Sequence, residues 1–322
     1  MTLEEINKIL FKGKTSLVSV ENMISKGLLP SIADIPSENL KTVRGMIAEW
    51  KETFIGRFIS KNPRYHGMIT RIEDAIGKKP EWSDFTKQNI DLICEMFSEC
   101  APSSARTYMA MFCSVLNDAK DEVKLPYQRF AEKMSVKSTP SVNVYLNMKD
   151  LSKLESYRPK NEREQVVLAQ FLIGCYTGAR HSDILNMTVD NITDGYLTYV
   201  SKKTKIQTTV EAKPILTALL PIAGQKTYSD VVFNETIRDI CRIVGINENM
   251  KLFRRGKDEV GEKWQFVASH TARRSFATNL AELNVPILQI AKRMGHTDVK
   301  TTYRYICGTI SRLDDKACKF FS

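Results

Sequence analysis

Much of what organises other proteins is missing from this sequence. No run approaches the ~18–20 consecutive apolar residues that a membrane span requires. The longest candidate, residues 166–175, is short enough to read as a buried helix. The amino terminus, Met1-Thr2-Leu3-Glu4-Glu5, is acidic and has no apolar signal-peptide core. The cysteines, Cys94, Cys100, Cys113, Cys175, Cys241, Cys307 and Cys318, are odd in number and form no C-x-x-C pair. That argues against a disulfide framework or a zinc knuckle and makes a reducing cytoplasm the expected location. There is no internal repeat, no low-complexity tract and no carboxylate cluster suited to a pair of metal ions. Histidine is scarce as well: only His66, His181, His270 and His296 occur.

What is present is positive charge. Lysine and arginine outnumber the acids 47 to 37 in 322 residues, for a net charge of +10 and a pI near 9.1. The excess favours a polyanionic partner, although a basic protein with no nucleic-acid role fits the charge equally well. The length suits two domains, or three small ones. Residues 1–44 read as helical and uninformative. From 45 to 134, apolar residues recur at helical spacing, as in Trp50, Phe54 and Phe58 and again in Ile90, Ile93, Met96 and Phe97. Pro63, Pro80, Pro102 and Pro126 punctuate this block, which predicts a bundle of four or five helices. Ser103 and Ser104 are the expected caps of the helix that carries Arg106 and Tyr108.

The small polar residues of 135–144 read as a linker. A second domain, 145–322, opens with Asn147 as a helix cap. Residues 195–209 alternate and are rich in Tyr, Val and Thr, as a hairpin would be. From Ser229 onward the pattern is mainly helical, with a charged interruption at residues 254–259. The expected fold class is therefore mainly α with a small antiparallel β-sheet.

Four strings carry polar chemistry. In Thr177-Gly178-Ala179-Arg180-His181-Ser182-Asp183, a long apolar helix stops at a glycine and an arginine follows. Asp183, three residues on, lies on the same face and is placed to orient the guanidinium. In His270-Thr271-Ala272-Arg273-Arg274, a histidine and an arginine three apart share a helix face and suit two oxygens of one phosphate. Arg274 points elsewhere. Gly295-His296 is followed by Tyr303 and Tyr305, and Ser201-Lys202-Lys203-Thr204-Lys205 sits at the tip or flank of the predicted hairpin. Taken singly, each is explained as well by a helix cap, aromatic packing or a solvated lysine turn.

Order and company change the weighing. Arginine, lysine, histidine, arginine, histidine and tyrosine in this order resemble the tyrosine recombinase (phage integrase) family. The likeness is strongest at T-G-A-R, S-H-T-A-R-R-S-F-A-T and M-G-H-T-D-V-K-T-T-Y-R-Y. It covers about residues 146–306 well and residues 46–134 less well. The interval of nine residues from His296 singles out Tyr305 over Tyr303. The resemblance implies a helical, SAM-like core-binding domain at 45–134 and a mixed α/β catalytic domain at 145–322. Residues 1–44 would then be an arm for accessory DNA sites or a packing extension. Arg180, Lys203, His270, Arg273, His296 and Tyr305 would be catalytic, with Asp183 in support where the family often has glutamate. Lys202 and Lys205 stand close enough to Lys203 to compete for the lysine role. Together with Arg106 and Tyr108, they are the candidates for DNA contact.

The chemistry suits those groups. Two arginines mask the charge of a phosphodiester and bind more strongly as charge builds in the transition state. His296 would add a hydrogen bond to the same phosphate. A tyrosine hydroxyl, with an ordinary pKa of ~10, needs a cationic site and a base, here His270. Lys203 would protonate the leaving 5′ oxygen. The resemblance further implies metal- and ATP-independent strand exchange on double-stranded DNA with specific recombination sites. It also implies a 3′-phosphotyrosyl intermediate, a Holliday junction, a C-shaped clamp and a homotetramer. Accessory DNA-bending or directionality proteins would assist, no membrane or cofactor is involved, and integration or excision of a mobile element is the expected setting. Phe320 and Phe321 are candidates to dock on a neighbouring subunit, or in cis. A type IB topoisomerase and a non-catalytic regulator derived from an integrase are the rival readings.

Overall fold

The computed structural model describes residues 48–49, 51–62, 65–135, 142–254 and 256–307. The expectations for residues 1–44, Trp50, most of the linker (136–141), Arg255 and the Phe320-Phe321 pair lie outside the described residues. The chain divides into two compact units, residues 1–139 and 140–322.

The described part of the first unit is helical: α1 (Phe54–Lys61), α2 (His66–Ile76), α3 (Lys87–Ser98), α4 (Pro102–Ala119) and the single turn α5 (Phe130–Lys133). Local chemistry sets the ends. Thr53 and Thr86 accept backbone N–H bonds at the starts of α1 and α3, and Gly77 closes α2 in the left-handed region at φ 79°. The serine caps expected for α4 are not formed. Its cap is Ala101, Pro102 occupies the first helical position, and Ser103 and Ser104 lie inside the first turn. Proline prevails because it has no N–H to leave unpaired there and its φ is already helical. Phenylalanines knit the core edge to face, with Phe54 and Phe85 at 4.5 Å and Phe85 and Phe112 at 5.3 Å between centroids.

The second unit is built around α7 (Glu162–Thr177), buried along residues 166–175. Before it comes α6 (Met148–Ser156), where Asn147 accepts from the Asp150 N–H in a reciprocal cap. After it come the turn α8 (His181–Ile184), strands β1 (Ile192–Thr193), β2 (Tyr196–Val200) and β3 (Gln207–Glu211), and helices α9 (Pro214–Ala223) and α10 (Asp230–Ile243). The strands form one antiparallel sheet in the order β1-β2-β3. Leu197 pairs with Val210 and Tyr199 with Thr208 on its buried face, as the alternation predicted.

The charged interruption at residues 254–259 is a second hairpin, not a break between helices. Strands β4 (Asn249–Arg254) and β5 (Lys257–Glu262) pair antiparallel, turning at Gly256 with φ 82°. It escaped the sequence pattern because of its strand residues only Leu252 is buried, while Lys251 and Asp258 form a 2.9 Å ion pair across the strands. Three further helices follow among the described residues: α11 (Ser269–Glu282), α12 (Ile287–Arg293) and α13 (Val299–Tyr303). Helices α9, α10 and α11 all pack on α7. Among the described residues, no helix is long and apolar enough to cross a membrane.

One buried ion pair ties the start of this unit to the segment after β5. Lys263, just after β5, donates to Asp150 at 2.7 Å, and both residues are buried. Lys263→Met strands the Asp150 charge in the interior and should cost about 3–5 kcal/mol in chemical denaturation. Adding Asp150→Asn should recover much of that loss; a cost confined to a few tenths of a kcal/mol would show the carboxylate to be solvated.

Candidate active site

Helix α7 ends because Gly178 turns left-handed, at φ 67°, while its N–H still bonds Gly174. Any side chain at 178 would strike the Phe276 ring, so glycine is needed both for the turn and for the close approach of α11. The reversed chain delivers Arg180 at the mouth of α8. Its Nη1 donates to Ser201 Oγ at 2.9 Å, just beyond β2. Asp183 sits 3.9 Å from the same nitrogen, a loose ion pair. Its tighter bond is to the Lys202 N–H at 2.9 Å. The expected orienting role of Asp183 is thus shared: it anchors the β2–β3 turn first and neutralises Arg180 second.

Arg273 is the most deeply set of the predicted groups, with 1% of its surface exposed. Its Nη1 donates to the Gly178 carbonyl. Its Nη2 donates to the Met294 carbonyl and to His296 Nε2, each at 2.6 Å. The Nε is buried without a partner. Arg180, His181, Asp230, Asn234, His270 and Arg273 line one cleft. His270 lies at its exposed rim, consistent with sharing a helix face with Arg273. Asn234 Oδ1 accepts the Ser269 N–H at 2.8 Å and so fixes the start of α11. Asn234 was not legible as a site residue, because its partner is a backbone amide thirty-five positions away.

The turn bearing Gly295 and His296 follows α12. Gly295 has φ 62°, and a Cβ there would stand 2.9 Å from Thr208 Oγ1, so the turn can press against β3 only as glycine. His296 Nδ1 is 2.9 Å from Thr302 Oγ1. Because a guanidinium only donates, Nε2 must accept from Arg273, and the ring proton must sit on Nδ1. In this state the hydrogen of His296 is on Nδ1 and Nε2 is occupied by Arg273.

The two tyrosines part company. Tyr303 is 51% exposed. Tyr305 lies with its ring 5.2 Å from the Arg273 guanidinium and 5.3 Å from the His296 ring. Thr278 on α11 donates to the Tyr305 carbonyl and accepts the Cys307 N–H, so the helix that carries Arg273 also holds the tyrosine segment.

Other predicted residues are not drawn in. Lys203 is exposed in the β2–β3 turn and makes no hydrogen bond or ion pair among the described residues. Lys202 and Lys205 are exposed beside it, and the turn meets the site through Ser201 Oγ, the Lys202 N–H and the Thr204 hydroxyl, which bonds the Gly295 carbonyl at 3.4 Å, rather than through a lysine side chain. In the first unit Arg106 is exposed on α4, while Tyr108 is half-buried against Phe97, with Arg71 5.6 Å from its ring. Packing therefore already uses much of the Tyr108 face. No group of three or more His, Cys, Asp or Glu side chains converges as a metal site among the described residues.

The electrostatics follow from crowding cations. Burial, then Arg273 and Arg180, push the His296 pKa down to about 4. His270 is lowered by burial of part of its ring, then by Arg274, Arg273 and Arg180, against an opposing pull from Asp230. Burial and Arg180 lower Arg273 itself. The cluster repels its own charge, and an anion in the cleft would relieve it.

The sequence model of the phage integrase family matches residues 145–309. The chain belongs to this family, the tyrosine recombinases. A curated relative, the tyrosine recombinase XerD of Listeria innocua serovar 6a, is 25% identical over 230 residues, 67% of this chain and 75% of the relative. Among solved structures, a lambda integrase tetramer bound to a Holliday junction aligns with a TM-score of 0.57 at 14% identity, over 79% of this chain and 76% of that one. The XerH site-specific recombinase bound to palindromic difH substrate, a post-cleavage complex, aligns at 0.56 and 12% identity, over 92% and 86%. At these identities the structural likeness speaks for the fold. In this chain the T-G-A-R and G-H strings are the two turns that converge on Arg273.

The neutral His296 predicts a pH effect of definite sign. Its pKa in the fold, about 4, is below the ordinary 6.5, so the unfolded chain takes up the proton first as pH falls. Stability should drop between pH about 6.5 and about 4. Melting temperatures of wild type and His296→Gln should converge through that window as the histidine's advantage is lost; a gap independent of pH would refute the buried neutral imidazole.

Proposed function

We propose that this integrase is a site-specific DNA recombinase that cuts and rejoins DNA through Tyr305. The observation that carries the reading is the placement of the Tyr305 ring against the buried Arg273 guanidinium, with Tyr303 turned outward. Tyr305 Oη attacks phosphorus, the bond to the 5′ oxygen breaks, and a 3′-phosphotyrosyl ester forms. His270 receives the tyrosine proton, and a proton returns to the 5′ oxygen from Lys203 once DNA engages the β2–β3 turn. Arg180 and Arg273 bind the non-bridging oxygens and stabilise the charge that grows on them. Attack by the freed 5′ hydroxyl reverses the step, so the ester conserves the bond energy and no ATP is consumed.

Strand exchange between two duplexes would pass through a Holliday junction within a homotetramer. The net charge of +10 suits binding along phosphates. Lys202, Lys205 and Arg106, all exposed, are the proposed DNA contacts; Tyr108 would add only the edge that packing leaves free. The partner is double-stranded DNA with specific recombination sites, with accessory bending or directionality proteins. The biological setting is integration or excision of a mobile element.

Nicked suicide duplexes drawn from the flanks of the protein's own element test this reading. Wild type and Tyr303→Phe should form a covalent protein–DNA adduct, and Tyr305→Phe should bind DNA without one; an adduct in Tyr305→Phe moves the nucleophile elsewhere. Arg180→Ala should slow adduct formation by roughly 100-fold or more, as loss of one charge-stabilising donor does. EDTA should leave cleavage intact, and its abolition by chelation would instead indicate a metal nuclease.

A further inference from the structure

A chain of three hydrogen bonds joins the buried arginine to the backbone of the nucleophile. Arg273 Nη2 meets His296 Nε2 at 2.6 Å, His296 Nδ1 meets Thr302 Oγ1 at 2.9 Å, and the Thr302 carbonyl accepts the Tyr305 N–H at 2.9 Å. The middle link is fully enclosed: Thr302 has 0% of its surface exposed. A hydroxyl is unusual among side-chain groups in that one oxygen can both accept and donate. That property matters here because the arginine dictates the tautomer. While Arg273 donates to Nε2, the only ring hydrogen is on Nδ1, and Thr302 accepts it. A phosphate oxygen bound by Arg273 in place of His296 would need the opposite arrangement from that ring, with hydrogen on Nε2.

We propose that Thr302 is a positioning residue whose hydroxyl lets His296 exchange tautomers, from an acceptor of Arg273 at rest to a donor toward phosphate. The proposal rests on the reading of this cleft as a phosphodiester site. The exchange conserves protons. Phosphate draws Arg273 away from Nε2, the ring opens briefly to water, Nε2 takes one proton from that water and Nδ1 gives one back to it. As the ring closes, the hydroxyl turns and donates its own hydrogen to the bared Nδ1 lone pair. A buried nitrogen is satisfied in both states, and the ring occupies the same place before and after the change. Valine, which has the same shape but no hydroxyl, would leave Nδ1 unsatisfied in either state, whereas serine would keep the function. Because the Thr302 carbonyl also holds the Tyr305 N–H, the residue that sets the histidine is fixed to the turn that presents the nucleophile.

The test is 15N NMR of the full chain carrying Tyr305→Phe, labelled at histidine nitrogens and titrated with inorganic phosphate. The expected result is a His296 proton on Nδ1 without phosphate and on Nε2 with it, one proton in each case. A proton on Nε2 before phosphate is added, protons on both nitrogens afterwards, or no change at the highest phosphate would each overturn the proposal. On a wild-type background, Thr302→Val should slow adduct formation by about 10- to 100-fold and Thr302→Ser should restore most of the rate; a Thr302→Val chain as fast as wild type would also overturn it. Should Thr302→Val fail to fold, the NMR result, obtained with threonine in place, decides alone. Adduct formation by wild type separates the two claims. An adduct with an unswitched ring sinks only the role of Thr302, and absence of any adduct sinks the recombinase reading.

Discussion

The second unit depends on burying one guanidinium. Taking the Arg273 charge out of water costs several kcal/mol, and the fold offsets it by directing the Gly178 and Met294 carbonyls and the His296 ring at its nitrogens. Those partners belong to different segments. Gly178 ends α7, Met294 ends α12, and His296 opens the stretch that leads to Tyr305. A single cation on α11 therefore sets where three chain reversals must lie. The glycines at 178 and 295 follow from it, since both turns run left-handed and both press against a neighbour that leaves no room for a Cβ.

The same crowding shapes the chemistry. Burial first, and then Arg273 and Arg180, lower both histidines, which favours neutral imidazoles beside guanidiniums that stay charged. Neutral imidazoles can accept protons, and charged guanidiniums can only donate hydrogen bonds. The division suits the proposed reaction, which removes a proton from a phenol while masking the charge of a phosphodiester. Asp183 tempers the repulsion from one side, yet its shorter bond goes to the backbone of the β2–β3 turn. That bond couples the turn bearing Lys203 to Arg180, although the lysine itself stays outside the cluster.

Legibility in the sequence varied with the range of the interactions. The α7 stop at Gly178, the Asn147 cap and the inward face of β2 and β3 are short-range matters of φ, side-chain length and alternation, and all could be read from the string. The Ser103-Ser104 cap does not form because proline one residue earlier satisfies the helix start by another route. The β4–β5 hairpin was invisible because it buries almost nothing and holds together through cross-strand charge pairs, which in a sequence look like a solvated loop.

By itself the sequence determined which residue types the site would contain and the order in which they arrive, because the strings T-G-A-R, H-x-x-R and G-H with a tyrosine nine positions on are local and specific. Only the tertiary structure decided which tyrosine lies against the arginine, which histidine nitrogen carries the proton, that Thr302 meets His296 and Asn234 the start of α11, and that Lys203 stands apart. These outcomes hang on hydrogen bonds between segments distant in sequence and on backbone carbonyls that every residue possesses, so no choice of side chain along the string could announce them.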